Sequence, residues 1–141
     1  MRIAFVSDIH GNLLALDEVL ADLERQEVDR VVCLGDICFG PQVSECLERV
    51  RGLGCPVIVG NWDAYSTEGF PVADDPVGIM LHEIGAWWAQ HLTDDDHEFV
   101  RTFQPTLEMP LGNSTRVLCF HGSPHSFNDW IFATTPDEEI E

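Results

Sequence analysis

The sequence predicts an α/β fold, a mostly parallel sheet with crossover helices, and three observations carry that expectation. Short apolar runs at residues 2–6, 31–34 and 56–59 each stop at polar residues. Stretches of helical periodicity separate the runs. The resulting order of strand, helix, strand, helix, strand implies right-handed crossovers, which place the loops at the carboxyl ends of neighbouring strands side by side.

The first run is rich in Ile, Phe and Val and ends at Ser7 and Asp8, as a buried strand entering a polar loop does. Asn12 is a candidate helix cap, and Leu13, Leu16, Leu20 and Leu23 recur at three- and four-residue spacing, with Asp17, Glu18, Asp22 and Glu24 mostly off that face. Gly35 and Asp36 end the second strand, residues 43–51 form a charged second helix, and Gly52 and Gly54 break it. The third strand ends at Gly60 and Asn61. Residues 66–76, rich in Pro, Asp and Gly, read as a surface loop, whereas 77–91 and 94–103 read as helices, the second behind a Thr93 cap. A fourth strand at 116–120 is followed by His121 and Gly122. His82, His91 and His97 read as surface residues, and Trp87 and Trp88 as core.

A chain of 141 residues with 45% hydrophobic content fits one domain, residues 1–141. The 25 acidic residues against 7 Lys plus Arg give a formal net charge of −18, a field that repels polyanions and disfavours nonspecific nucleic-acid binding. A small phosphorylated substrate binds such a protein only where a local charge overrides that field, and divalent cations are the strongest such charges. The N-terminal strand has only five apolar residues, too short for a signal segment or a membrane span, and the chain is expected to be cytoplasmic. The five cysteines, odd in number and without CxxC spacing, suit reduced thiols rather than a disulfide framework.

Four strand ends deliver Asp8 with His10, Asp36, Asn61 with Asp63, and His121. This mixture of nitrogen and oxygen donors suits Mn, Fe, Co, Ni or Zn. Asp8 and His10, two apart just past a strand, can chelate one ion. Asp36 follows a glycine that admits close backbone approach, and its carboxylate can bridge two ions. Asn61 offers a carbonyl oxygen to a metal and an amide donor to a phosphate. His121 is a candidate imidazole ligand. Each signal alone is as well explained by an ordinary turn or a half-buried histidine; their convergence at successive strand ends is what points to a site.

The blocks SDIHGN at 7–12, LGDICFGP at 34–41, GNWD at 60–63 and FHGSP at 120–124 together resemble the ordered signatures of the calcineurin-like metallophosphoesterases. The Gly40-Pro41 pair and the HGSP block resemble the small bacterial and archaeal phosphodiesterase branch most. The resemblance implies the N-terminal part of an αββα sandwich and a metal-dependent phosphoesterase in which a metal-bound hydroxide attacks phosphorus. It implies two divalent ions, Mn²⁺ foremost with Fe, Ni, Co or Zn as alternatives. Asp8 and His10 would hold the first, Asp36 would bridge, and Asn61 and His121 would hold the second. Asn61 and Asp63 are the catalytic candidates, Asp63 by supporting the ligands from behind.

Two positions depart from the family pattern. Trp62 stands where the third block often has a histidine that assists the leaving group, and no Gly-His-x-His block follows His121; His125, in HGSPHSF, does not match it. The chain is therefore expected to be a C-terminally incomplete piece or to associate with a second copy, because the helices suffice to cover only one face of strands apolar on both. The alternative function is a catalytically incomplete fragment that binds metal or phosphate. A protein Ser/Thr phosphatase, which expects GNH followed by Glu, ranks lower.

Overall fold

The computed structural model describes residues 1–112 and 115–139. Strands β1 (Ile3–Val6) and β2 (Arg30–Cys33) pair in parallel, Ile3 opposite Arg30 and Val6 opposite Cys33. The third apolar run continues this layer only through bridges, Val57 to Cys33 and Ile58 to Gln104, both parallel. Pro56 has no N–H to donate, and its carbonyl instead accepts from Cys33 N at 3.0 Å, so the ladder stays too short to be a full strand.

Helices α1 (Leu13–Arg25), α2 (Val43–Leu53), α3 (Asn61–Glu68), α4 (Pro76–Ala89) and α5 (Asp94–Val100) follow in chain order. The Asn12 side chain caps α1 through Ala15 N at 3.1 Å, and Thr93 with Asp96 forms a capping box on α5. Helix α2 ends at Gly54, whose φ of +59° is the left-handed cap that glycine adopts freely. It buries Val43, Cys46, Leu47 and Val50, one face at helical spacing, against Leu16, Ile37, Val57 and Val100. One face of the parallel layer is thereby covered. Helix α5 stops at Val100 rather than Phe103 because the chain must extend for Gln104 N to reach Val57 O at 2.9 Å.

Helix α3 occupies a region read from sequence as a turn and loop. Its start is fixed by contacts from afar: Trp62 N donates to Asp36 Oδ1 at 3.0 Å and Gly60 N to Asp63 Oδ2 at 3.0 Å. Long-range bonds of this kind override local propensity, which gave no helix here.

Strands β3 (Thr106–Pro110) and β4 (Arg116–Phe120) form an antiparallel hairpin, Thr106 opposite Phe120 and Pro110 opposite Arg116. Strand β3 was not expected, since Thr-Leu-Glu-Met-Pro carries a weak strand signal. The hairpin places Leu107, Met109, Val117 and Cys119 against Val32 and Ile58 on the second face of the parallel layer. The face expected to lie open is thus partly covered within this chain: Val32 and Ile58 are fully buried, while Phe5 stays 47% exposed. Much apolar exposure instead lies on α4, where Val77, Met80, Ile84 and Trp87 form a stripe at helical spacing. Trp87, 52% exposed, is not the core residue the sequence suggested; it crosses Trp88 edge-on with ring centroids 4.5 Å apart. Among the described residues no helix is long and apolar enough to cross a membrane.

Candidate metal centre

The loops after β1 and β2 lie against each other. Asp8 N donates to Gly35 O at 3.0 Å, His10 N to Asp36 O at 3.0 Å and Gly11 N to Ile37 O at 3.2 Å. Asp8, His10 and Asp36 have φ of +56°, +48° and +56°, left-handed values rare outside glycine. Such backbone costs about 1–3 kcal/mol per residue and persists only where surrounding bonds over-determine it. Here the strain falls on the candidate ligands themselves.

Ligand atoms of Asp8, His10 and Asp36 lie within 4.8 Å of one another. His10 Nε2 is 3.7 Å from Asp8 Oδ1 and 3.9 Å from Asp36 Oδ2; His121 Nε2 approaches the same Asp36 Oδ2 at 3.6 Å. His121 Nδ1 lies 2.8 Å from Leu34 O. A carbonyl only accepts, so Nδ1 carries a proton there and Nε2 is the ring nitrogen left facing Asp36. A nitrogen and a carboxylate oxygen thus face each other at 3.6 Å, a spacing that a cation held by both can occupy. His10 Nδ1 is buried without a hydrogen-bond partner among the described residues. The nitrogen and oxygen donors present therefore fit divalent transition ions.

Asp8, His10, Asp36, Asn61 and His121 all line one cleft of about 670 Å³. Asp63 does not. Fully buried, it accepts from Asp36 N at 2.8 Å, Ile37 N and Cys38 N at 2.9 Å, and Gly60 N at 3.0 Å. Sequence reasoning gave Asp63, a catalytic candidate with Asn61, the role of supporting the ligands from behind; its side chain is committed to four backbone amides, three of them in the Asp36 loop. Burial, and then the Asp63 charge, push Asp36 up to about 7, against the opposing pull of His121 and the Trp62 N–H. The five cysteines are free, and burial pushes Cys33 up to about 12, so a nucleophilic thiolate is not part of the site.

Gly35 makes the close approach of these loops possible. Its φ is +89°, and a Cβ there would meet Gly60 N at 2.4 Å and Ile58 O at 2.7 Å, both backbone. Gly35→Ala is expected to destabilise the chain by about 3 kcal/mol or more, read as a lowered urea midpoint.

Sequence reasoning missed the outer wall of the cleft. Tyr65 and His82 line it from α3 and α4, and Phe127, Asn128 and Trp130 from the segment after β4. His82, read as a surface residue, has its Nδ1 buried and unpartnered among the described residues, and its ring stands 6.3 Å from that of Trp62. One signal was available: Gly85 inside α4 is buried, and a Cβ there would meet the Phe70 and Trp62 rings at 2.6 and 2.7 Å.

A profile of the calcineurin-like phosphoesterase superfamily domain matches residues 1–139. The chain belongs to this family. The uncharacterized protein MJ0912 of Methanocaldococcus jannaschii is 47% identical over 135 residues, 92% of this chain and 53% of that protein. The crystal structure of a metallophosphoesterase from Sphaerobacter thermophilus is similar with a TM-score of 0.66 at 29% identity, covering 92% of this chain and 50% of that one. The Pyrococcus horikoshii protein PH1004 shares the fold with a TM-score of 0.72 at 24% identity, over 98% of this chain and 63% of that one. The chain spans about half the length of MJ0912 and of the Sphaerobacter protein.

Proposed function

We propose that this chain carries the metal-binding core of a phosphodiesterase acting on small phosphorylated esters. The observation that carries this reading is the meeting of His10 Nε2 and His121 Nε2 at one oxygen of the buried Asp36, at 3.9 and 3.6 Å. Asp8 and His10 would hold one divalent ion, Asn61 and His121 a second, and Asp36 both. Mn²⁺ is the first choice, with Fe, Ni, Co or Zn as alternatives. When bound, such a pair supplies Lewis acidity, acidifying water and drawing charge from phosphoryl oxygens. The chain's own residues do the rest. Asn61, opening α3 at the cleft, can donate its amide N–H to a phosphoryl oxygen as charge builds there. Asp63 fixes the backbone of residues 36–38 and so holds the Asp36 carboxylate, which would serve both ions, in place.

The second reading, a catalytically incomplete metal- or phosphate-binding fragment, is favoured by the chain's covering only 53% of MJ0912. Both readings are tested by metal content after purification and by turnover of an aryl phosphodiester. The chain alone is expected to retain a divalent ion with little turnover, and joining it to the C-terminal half of MJ0912 is expected to restore hydrolysis. Full turnover by the isolated chain would discard the fragment reading; no metal in either form would discard the phosphodiesterase reading, and no phosphate binding besides would discard both.

Self-association belongs to the same proposal. Phe5 on the sheet and Val77, Met80, Ile84 and Trp87 on α4 are each at least 40% exposed, apolar surface that a second copy would cover. Sedimentation velocity is expected to show a coefficient that rises with concentration. A concentration-independent monomer that binds no hydrophobic dye would refute it.

A further inference from the structure

A second recess adjoins the metal cleft and shares two of its lining residues, His10 and Trp62. The others are Phe39, Gly40, Pro41 and Trp88. We propose that this recess is the subsite for the organic substituent of the substrate, a flat aromatic ring carried by the phosphoryl group; this rests on the phosphoesterase reading of the neighbouring cleft.

Chemistry and placement both support the inference. Apart from His10 the lining side chains are apolar, and none is a carboxylate, in a chain whose net charge is −18. The wall is aromatic: Phe39 and Trp62 pack with centroids 4.2 Å apart, and the Phe39 edge meets the His10 ring at 5.9 Å. Offset or edge-on partners of this kind prefer a further flat ring to an aliphatic chain of equal area. The wall is also built rigidly onto the metal site. A Cβ on Gly40 would lie 2.2 Å from His10 O, so the loop bearing Phe39 is pressed against the loop bearing the ligands. Trp62 presents its indole to the recess while its backbone N–H holds Asp36 Oδ1 at 3.0 Å. A substituent seated there is therefore one residue away from the Asp36 carboxylate. A shallow, open aromatic wall adjoining the metal cleft suits an ester whose phosphate is anchored and whose ring is recognised by stacking. A phosphate on a sugar or an aliphatic alcohol would leave these rings without a partner.

The test uses phosphonates, whose C–P bonds resist hydrolysis, bound to the Mn²⁺-loaded chain by titration calorimetry. Methylphosphonate reports the metal centre alone, phenylphosphonate adds a ring, and an adenine-bearing alkylphosphonate distinguishes a base from a simple aryl group. The expected result is that one or both ring-bearing ligands bind about tenfold tighter than methylphosphonate. Trp88→Ala and Phe39→Leu are expected to remove that preference while leaving methylphosphonate affinity in place. Equal affinity for all three ligands would overturn the subsite, as would a ring preference that survives both substitutions. If no phosphonate binds in the presence of metal, the phosphoesterase reading falls and the subsite with it. Methylphosphonate binding without ring preference leaves that reading standing and rejects only the subsite.

Discussion

Asp63→Ala is expected to lower stability by roughly 3–5 kcal/mol, a large share of the about 5–15 kcal/mol typical of a folded domain. Four backbone N–H groups, those of Asp36, Ile37, Cys38 and Gly60, converge on this one fully buried carboxylate. Alanine leaves all four without an acceptor in a place water does not reach, and each stranded donor costs about 1–3 kcal/mol, partly relieved by local relaxation. Asp63→Asn separates geometry from charge. The amide keeps one acceptor oxygen but turns an NH₂ toward N–H groups, so it is expected to recover less than half of the loss. Urea unfolding of the three proteins decides this. A change below about 1 kcal/mol in Asp63→Ala, the range of an ordinary surface site, would show that the loop stands without its carboxylate. Because the same bonds fix residues 36–38, Mn²⁺ affinity is expected to fall along with stability even though Asp63 does not line the cleft.

The ligand candidates were legible because each is a polar residue of metal-binding type at the end of an apolar run, a pattern that survives without any three-dimensional information. Asp8, His10, Asp36, Asn61 and His121 were placed on one cleft by strand order alone, and they line one cleft. What the sequence hid depends on contacts between distant segments. Helix α3 begins where it does because Trp62 N is bound by Asp36, 26 residues earlier, which no local window contains. The role of Asp63 was half-visible: the residue type suggested a ligand's neighbour, but only geometry shows its oxygens spent on the amides of another loop. The hairpin was half-visible too, since 116–120 reads as a strand and its partner Thr106–Pro110, with a Glu and a Pro in five residues, does not. The aromatic wall draws on Phe39, Trp62, Tyr65 and His82, scattered over several elements, and their shared position follows from packing rather than spacing.

Asp36→Asn is expected to reduce Mn²⁺ affinity by at least about a hundredfold while making the metal-free chain more stable above neutral pH. The two effects have one cause. Burial and the charge of Asp63 push Asp36 up to about 7 in the folded chain, whereas an unfolded aspartate titrates near 4. Between those values the folded chain holds a proton that the unfolded chain has released, so this group's contribution to stability falls as pH rises from about 4 to about 7 and stays unfavourable above. Asparagine carries no charge to bury and its Oδ1 can still accept from Trp62 N, so the metal-free variant escapes the penalty. It also cannot supply the negative charge that holds a cation between His10 and His121. In the parent, metal must displace the Asp36 proton, and affinity is expected to drop by about tenfold per pH unit below 7 from this group. In the variant the part of the pH dependence due to this group disappears. Calorimetric Mn²⁺ titrations at pH 6, 7 and 8, paired with urea unfolding of the metal-free proteins, read both signs at once. Equal Mn²⁺ affinity in parent and variant would remove Asp36 from the metal centre, and a variant less stable than the parent at pH 8 would show that the carboxylate is not held there against its charge.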